Sequence, residues 1–148
     1  MRPRIAVVGD ANPSVETARL AEEVGRRIGA RGALLVCGGL GGVMEAAARG
    51  AKEAGGLTLG VLPGYDAAAA NPFIDIPVCT GMGHARNAII AATADALIAL
   101  EGSHGTLSEM ALGLKLGRPV IALGRRESPS GTLAASGPEE AVRMAADA

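Results

Sequence analysis

Short, wholly apolar runs alternate with segments of helical period along almost the entire chain, and this alternation restricts the fold more than any other property of the sequence. Residues 5–8 (Ile-Ala-Val-Val) end in Gly9-Asp10, and residues 13–28 then place Val15, Ala18, Leu20, Ala21, Val24 and Ile28 at helical spacing, with Asn12 or Ser14 as cap. Apolar runs at 33–37, 57–62, 74–79, 96–100 and 120–123 read as further strands, and residues 43–54, 84–94 and 106–116 read as helices. Gly137-Pro138-Glu139-Glu140 opens a short C-terminal helix, with proline suited to its first turn. Runs that are apolar throughout, rather than alternating, mark strands buried on both faces, and parallel strands need crossover helices to join them. The chain is therefore expected to be α/β: a single-domain, Rossmann-like parallel sheet with helices on both faces, spanning residues 1–148. In open sheets of this kind ligands bind beyond the carboxyl ends of the strands, near the topological switch point. The turns at 9–10, 38–42, 81–86 and 102–106 all fall at such ends. Residues 63–73 and 124–136 lack periodicity and are expected to be surface loops, candidates for a lid.

With 148 residues, 49% hydrophobic and 20% charged, and a net charge of −1, the chain fits one ordinary globular domain and no disordered or nucleic-acid-binding class. Its single tyrosine and single phenylalanine leave Tyr65 and Phe73 as the only side chains able to stack on a base. Cys37 and Cys79 each fall near the end of a run expected to be a buried strand, which suits small reduced core residues better than a disulfide. The N-terminus enters a strand at once with no apolar leader, and the longest apolar stretch, 88–100, contains Thr93 and Asp95 and is too short to span a bilayer. A cytoplasmic protein without membrane contact is expected.

The segment Glu101-Gly102-Ser103-His104-Gly105-Thr106-Leu107-Ser108-Glu109 leaves a strand and opens a helix, so Gly105 and Thr106 lie at a helix N-terminus. Unpaired N–H groups and the helix dipole make that end receptive to anions, and glycine lets a phosphate approach the backbone. Glu109 lies one turn further in. In isolation it would be read as a carboxylate stabilising its own helix; beside Gly102, Ser103, His104, Gly105 and Thr106 it becomes a candidate catalytic group. Arg86, in Gly81-Met82-Gly83-His84-Ala85-Arg86-Asn87, falls in the first turn of the preceding helix, where a cation works against the dipole. A planar guanidinium there is better explained by a phosphate or carboxylate ligand than by a surface ion pair. Arg86 and Glu109 are thus expected to converge on one phosphate ester.

Gly38-Gly39-Leu40-Gly41-Gly42 also joins a strand to a helix, but it follows the second strand and lacks the third glycine and the ribose-binding acid of a dinucleotide fingerprint. Phosphate contact by Gly38, Gly39, Gly41 and Gly42 and a simple tight turn are equally good readings. Asp10 is balanced in the same way between a ribose hydroxyl and a local cap. His84 and His104, the only histidines, could each donate to an anion, and His104 in the cradle segment is a candidate ligand contact, but taken singly each is more simply a cap or a solvent-facing group. No cluster has metal-ligand spacing and no nucleophile elbow occurs; Lys52 and Lys115 lie within expected helices, which gives little support to a Schiff base or bound pyridoxal phosphate. Neither a metal nor another cofactor is expected.

These motifs resemble those of the LONELY GUY-like ("possible lysine decarboxylase") Rossmann group, and the resemblance covers most of the chain. Enzymes of that group carry Pro-Gly-Gly-x-Gly-Thr-x-x-Glu, matched by residues 101–109, and Met-His-x-Arg-Lys, matched by residues 83–87. The resemblance implies that Arg86 and Glu109 stand at the group's catalytic positions and that the glycine-rich turn at 38–44 borders the site. Glu101 replaces Pro, Ser103 replaces Gly and Asn87 replaces Lys, and two of these changes reduce positive potential near the cradle. Gly-His-Ala-Arg-Asn looks more like the branch that includes the molybdenum-cofactor carrier protein. Two functions follow from the resemblance. The leading one is a nucleotide-phosphate-binding protein acting as a phosphoribohydrolase that cleaves the N-glycosidic bond of a nucleoside 5′-monophosphate; the alternative is a non-catalytic carrier or sensor of a phosphorylated ligand such as molybdenum cofactor. The partner is a phosphorylated small molecule in either case, with no nucleic acid polymer. The apolar helix at 84–94 and the resemblance together point to a homodimer or homotetramer.

Overall fold

The computed structural model describes residues 1–148. The elements run β1 (Arg4–Val8), α1 (Val15–Ala30), β2 (Leu34–Cys37), α2 (Val43–Glu53), β3 (Leu57–Leu62), β4 (Ile76–Cys79), α3 (Asn87–Thr93), β5 (Ala96–Ala99), α4 (His104–Lys115), β6 (Val120–Leu123), β7 (Leu133–Ala135) and α5 (Pro138–Ala146). The strands form one seven-stranded sheet in the order β4-β3-β2-β1-β5-β6-β7, and every pairing is parallel. The chain starts at the centre, builds outward to β4, and returns to lay β5 against the free side of β1, with Val8 opposite Ala99. The switch point therefore lies between β1 and β5.

Alternation of side chains along each strand divides the core into two unequal layers. Ile5 and Val7 face α1, α2 and α5 in a cluster of 21 buried residues. Ala6 and Val8 face α3 and α4 in a cluster of 10. The larger layer is built on a close helix crossing. A β-carbon at Gly25 would stand 1.9 Å from the Ala47 carbonyl oxygen, and one at Gly50 would stand 2.0 Å from that of Glu22, so the two backbones approach through glycine alone. Ion pairs then close the rim, Arg26 to Glu53 at 2.8 Å and Arg49 to Glu22 at 3.8 Å. Ser14 caps α1 by accepting from the Thr17 N–H at 3.1 Å.

The thinner layer leaves apolar surface open. Ile76 and Val78 pair with Leu59 and Val61 and so share their face of the sheet, but α3 is only 7 residues long, and they remain 42% and 38% exposed. Ala85, Ala88 and Ala92 are exposed on the same side. Cys79, expected in a buried strand, is exposed for this reason: an apolar run does not tell a central strand from an edge strand. Cys37 is buried as expected, and burial holds its thiol up at about 11. Residues 124–136, expected to be irregular, contain β7; its Leu-Ala-Ala is too short to carry a pattern and owes its conformation to pairing with β6. The helix expected over 84–94 begins with a tighter 3-10 turn at Gly83–Arg86. No helix is long and apolar enough to cross a membrane.

Replacing Gly25 by Ala forces a β-carbon into the Ala47 carbonyl, and the variant is expected to lose about 3 kcal/mol of stability. Gly64→Ala, where nothing lies within 4 Å, should leave the unfolding free energy from chemical denaturation within about 0.5 kcal/mol of the parent.

Candidate functional site

Three backbone ends meet at the switch point. The Asp10 N–H donates to the Glu101 carbonyl at 2.9 Å, tying the end of β1 to the segment after β5, and the Asp10 carbonyl accepts from the Val43 N–H at 3.0 Å, tying it to the start of α2. Gly42, at φ +68°, permits this closure, since a β-carbon there would stand 2.4 Å from the Asp10 carbonyl. Asp10 turns its carboxylate onto the Asn12 N–H at 3.0 Å, so it stabilises its own turn while bordering the cleft.

The cleft above this junction has a volume of about 310 Å³ and is walled by Asp10, Leu40, Met44, His84, Arg86, Asn87, Ser103, Gly105, Thr106 and Glu109. Arg86 and Glu109 are brought together as expected. Each is buried to 8% exposure, in a chain whose other arginines are all more exposed. The Arg86 guanidinium is aimed from below: its Nε donates to the Val61 carbonyl at 2.9 Å and its Nη1 to the Asn87 Oδ1. Gly38 makes room for it, since a β-carbon there would stand 2.7 Å from the Arg86 Nη2. Gly38 and Gly39 are buried, and Leu40 and Met44 supply the lining on that side, so the close packing of this turn is evident in the backbone itself.

Ser103 precedes α4 without capping it through its side chain, which leaves the first-turn N–H groups of the helix open toward the cleft. Nothing stands within 4 Å of the place a Gly105 β-carbon would occupy, whereas at Gly102 such a carbon would be 2.1 Å from the Thr106 Oγ1. His104 points instead into a groove between α3 and α4 that it shares with His84 and Ser108. Glu101 accepts from the Arg126 N–H at 3.3 Å and lines a neighbouring cavity, so its charge is turned away from the cradle.

Burial raises the Glu109 carboxyl from its ordinary 4.5 to about 7, and the nearby Arg86 charge opposes that rise only in part. Burial likewise lowers the Arg86 pKa, while the Glu109 charge opposes it. A carboxyl group with a pKa near neutrality beside a buried cation can give or take a proton, or accept a ligand hydroxyl.

Some positioning residues escape sequence reasoning. Asn87 receives Arg86 on its oxygen and donates through Nδ2 to the Ser108 Oγ at 3.0 Å, and Ser108 donates to the Gly105 carbonyl at 2.8 Å. This relay fixes the arginine relative to the helix end. The one signal for it in the sequence is an amide next to a helix-start arginine. Asn71 is another: it donates to the Leu40 carbonyl at 2.8 Å and pins the end of the 63–73 loop against the 38–42 turn, so that end is not a free lid. Phe73, a candidate for stacking, is instead packed against the larger core with the Arg49 guanidinium 5.3 Å from its ring centroid. Tyr65 remains exposed.

A parallel sheet whose strand order reverses beside a buried arginine, a buried glutamate and an open helix end defines a Rossmann-like α/β protein with an anion-ready cleft. The chain belongs to the SLOG cluster4 family, whose model matches residues 2–147. It is 46% identical over 139 residues to an uncharacterized protein from Archaeoglobus fulgidus, covering 94% of this chain and 91% of that one. Among solved structures it is similar to the molybdenum cofactor binding protein from the phototrophic bacterium Rippkaea orientalis, with 36% identity, a TM-score of 0.92, and 97% and 95% of the two chains covered. It is also similar to the molybdenum cofactor carrier protein of Chlamydomonas reinhardtii, with 35% identity, a TM-score of 0.89, and 97% and 96% covered. These likenesses agree with the branch to which residues 83–87 pointed.

Because the folded-state pKa of Glu109 lies above its unfolded value, the folded protein holds the extra proton between pH 4.5 and about 7, and stability falls as pH rises through that window. Glu109→Gln removes the slope. On going from about pH 4 to about pH 8 the variant is expected to gain on the order of 3 kcal/mol relative to the parent, read from denaturation at both pH values.

Proposed function

We propose that this protein binds a phosphorylated small molecule in the switch-point cleft and carries it without converting it, and that the ligand is a phosphorylated pterin of the molybdenum-cofactor kind. The observation that carries this reading is the buried Arg86 beside the open N-terminus of α4. A phosphate resting on the first-turn N–H groups around Gly105 and Thr106 would meet donors from the backbone and a guanidinium with no carboxylate ion pair of its own. Ser103 and the turn of Gly38, Gly39, Gly41 and Gly42 would border it, with Asp10 and Glu109 left to accept from hydroxyl or ring N–H groups. Support for the pterin comes from the likeness to two proteins described as binding or carrying molybdenum cofactor. The protein acts as one domain in the cytoplasm, on a cargo that needs no second cofactor.

A second reading rests on Glu109. A carboxyl near neutrality facing a phosphate cradle also suits cleavage of a nucleoside 5′-monophosphate. In that reaction water adds to the anomeric carbon as the N-glycosidic bond breaks, the base leaves with the bonding pair and gains a proton, and ribose 5-phosphate remains. Glu109 would orient the water or the ribose hydroxyls, and Arg86 would hold the phosphate.

Self-association is part of the proposal. Ile76, Val78, Ala85, Ala88 and Ala92 offer apolar surface on the thinly covered face, the kind that a second copy buries in a homodimer or homotetramer. Sedimentation at micromolar concentration is expected to show an oligomer, and Val78→Lys to shift it toward monomer.

The deciding measurement is equilibrium binding of a phosphorylated pterin alongside an assay of free base from a panel of nucleoside monophosphates. Saturable pterin binding with no base released is expected, with Arg86→Ala weakening it at least about tenfold. Base release that both Arg86→Ala and Glu109→Ala abolish would establish the hydrolase instead.

A further inference from the structure

A second cavity, of about 590 Å³, lies on the other side of the 101–106 turn, and nothing in the proposed function uses it. Its size is that of a small-molecule site, roughly 300–1,000 Å³. Its walls are Glu101 and Gly102, the first turn of α1, and the segment after β6 that carries Arg125, Arg126 and Glu127.

The arginines here are unlike most others in the chain. Arg4, Arg19, Arg26, Arg27, Arg31, Arg49 and Arg143 each pair with a carboxylate within 4.0 Å. Arg125 does not: its Nη1 donates to the Leu100 carbonyl at 2.7 Å and its Nε to the Glu127 carbonyl at 3.1 Å. Backbone carbonyls thus fix the guanidinium in place without neutralising it. Arg126 contributes its backbone N–H to Glu101 while its own guanidinium makes no ion pair. A held cation and a free one beside it, neither with a carboxylate partner, suit a phosphate, and the carboxylates of Glu101 and Glu127 suit a ribose diol, which offers two hydroxyl donors.

We infer that this cavity is a second ligand subsite, for the ribose and phosphate of a ribonucleotide, and that the protein accepts a ligand whose two halves straddle Gly102 through a pyrophosphate link. The inference rests on the reading of the first cleft as a phosphate site. Gly102 lies at the crossing because it lines the second cavity while the next residues, Ser103, Gly105 and Thr106, line the first, and Glu101 changes meaning with it. In the cradle this carboxylate would repel phosphate; in the second cavity it accepts from ribose hydroxyls.

The test compares adenosine 5′-monophosphate with diadenosine pyrophosphate, and guanosine 5′-monophosphate with diguanosine pyrophosphate, by titration calorimetry. The pyrophosphate-linked member of a pair is expected to bind at least about tenfold tighter than its monophosphate, and Arg126→Glu to erase that advantage. Arg126 is exposed and uses only its backbone in the fold, so the variant keeps its structure. Arg125→Gln should erase the same advantage. Equal affinity for both members in the parent, or an advantage that survives Arg126→Glu, overturns the second subsite. Loss of all four ligands in Arg86→Ala, with the parent binding them, keeps the first cleft as the phosphate site. If the parent binds none of the four, the nucleotide straddling is overturned; a phosphorylated pterin binding under the same conditions preserves the first cleft, and its failure removes that reading as well.

Discussion

The whole site hangs on two backbone hydrogen bonds made by Asp10. Because β1 is central and β5 returns to its free side, the chain ends that leave β1 and β5 are forced to separate to opposite faces, and the N–H and carbonyl of Asp10 bind one to the other and to the start of α2. Side-chain identity matters little for this junction. What it demands is room, supplied at Gly42, Gly102 and Gly9, where a β-carbon would meet the Asp10 carbonyl, the Thr106 hydroxyl and the Val43 side chain respectively. With the junction made, the N-terminus of α4 is held open beside the end of β1, and every later feature of the cleft follows from that placement.

Within this frame the cleft is organised around a buried cation. Arg86 gives up hydration for one carbonyl, one amide and a space left by Gly38. Such a charge is unfavourable without a counter-charge, and Glu109, equally buried, supplies only part of one because it is itself partly protonated near neutral pH. Two groups that each destabilise the folded chain are retained side by side at the mouth of a cavity. Their mutual compensation improves when an anion with hydroxyl donors sits between them.

Architecture was legible in the sequence wherever apolar runs were long enough to have a period. The parallel sheet, its helices and the position of its turns follow from residues 5–8, 13–28, 33–37 and their successors, and Ser14 as the cap of α1 was one of two candidates named by its chemistry. The edges were not legible. β7 is three residues of Leu-Ala-Ala made a strand by Ile121, Ala122 and Leu123 across the ladder, and Cys79 lies at the end of β4, which an apolar run does not mark as the edge of the sheet. Arg86 and Glu109 could be brought to one place because each follows a strand by a fixed short distance. Asn87, Ser108 and Asn71 could not, since an amide or hydroxyl acquires its role only from the partner that folding brings to it. The direction of Glu101 was invisible for the same reason: it is set by a backbone N–H at residue 126.

The inequality of the two layers has a dynamic meaning. Arg86 and Glu109 ride on the side of the sheet with the smaller apolar cluster, while the Asp10 and Val43 backbone belongs to the side with the larger one. Segments with fewer buried contacts open at lower free energy, so the amides of α3 and α4 are expected to exchange with solvent before those of α1 and α2. A molecule bridging Arg86, the start of α4 and the β1 turn would act as a tether between a slow half and a fast half. Occupancy of the cleft would then couple the opening of one layer to that of the other.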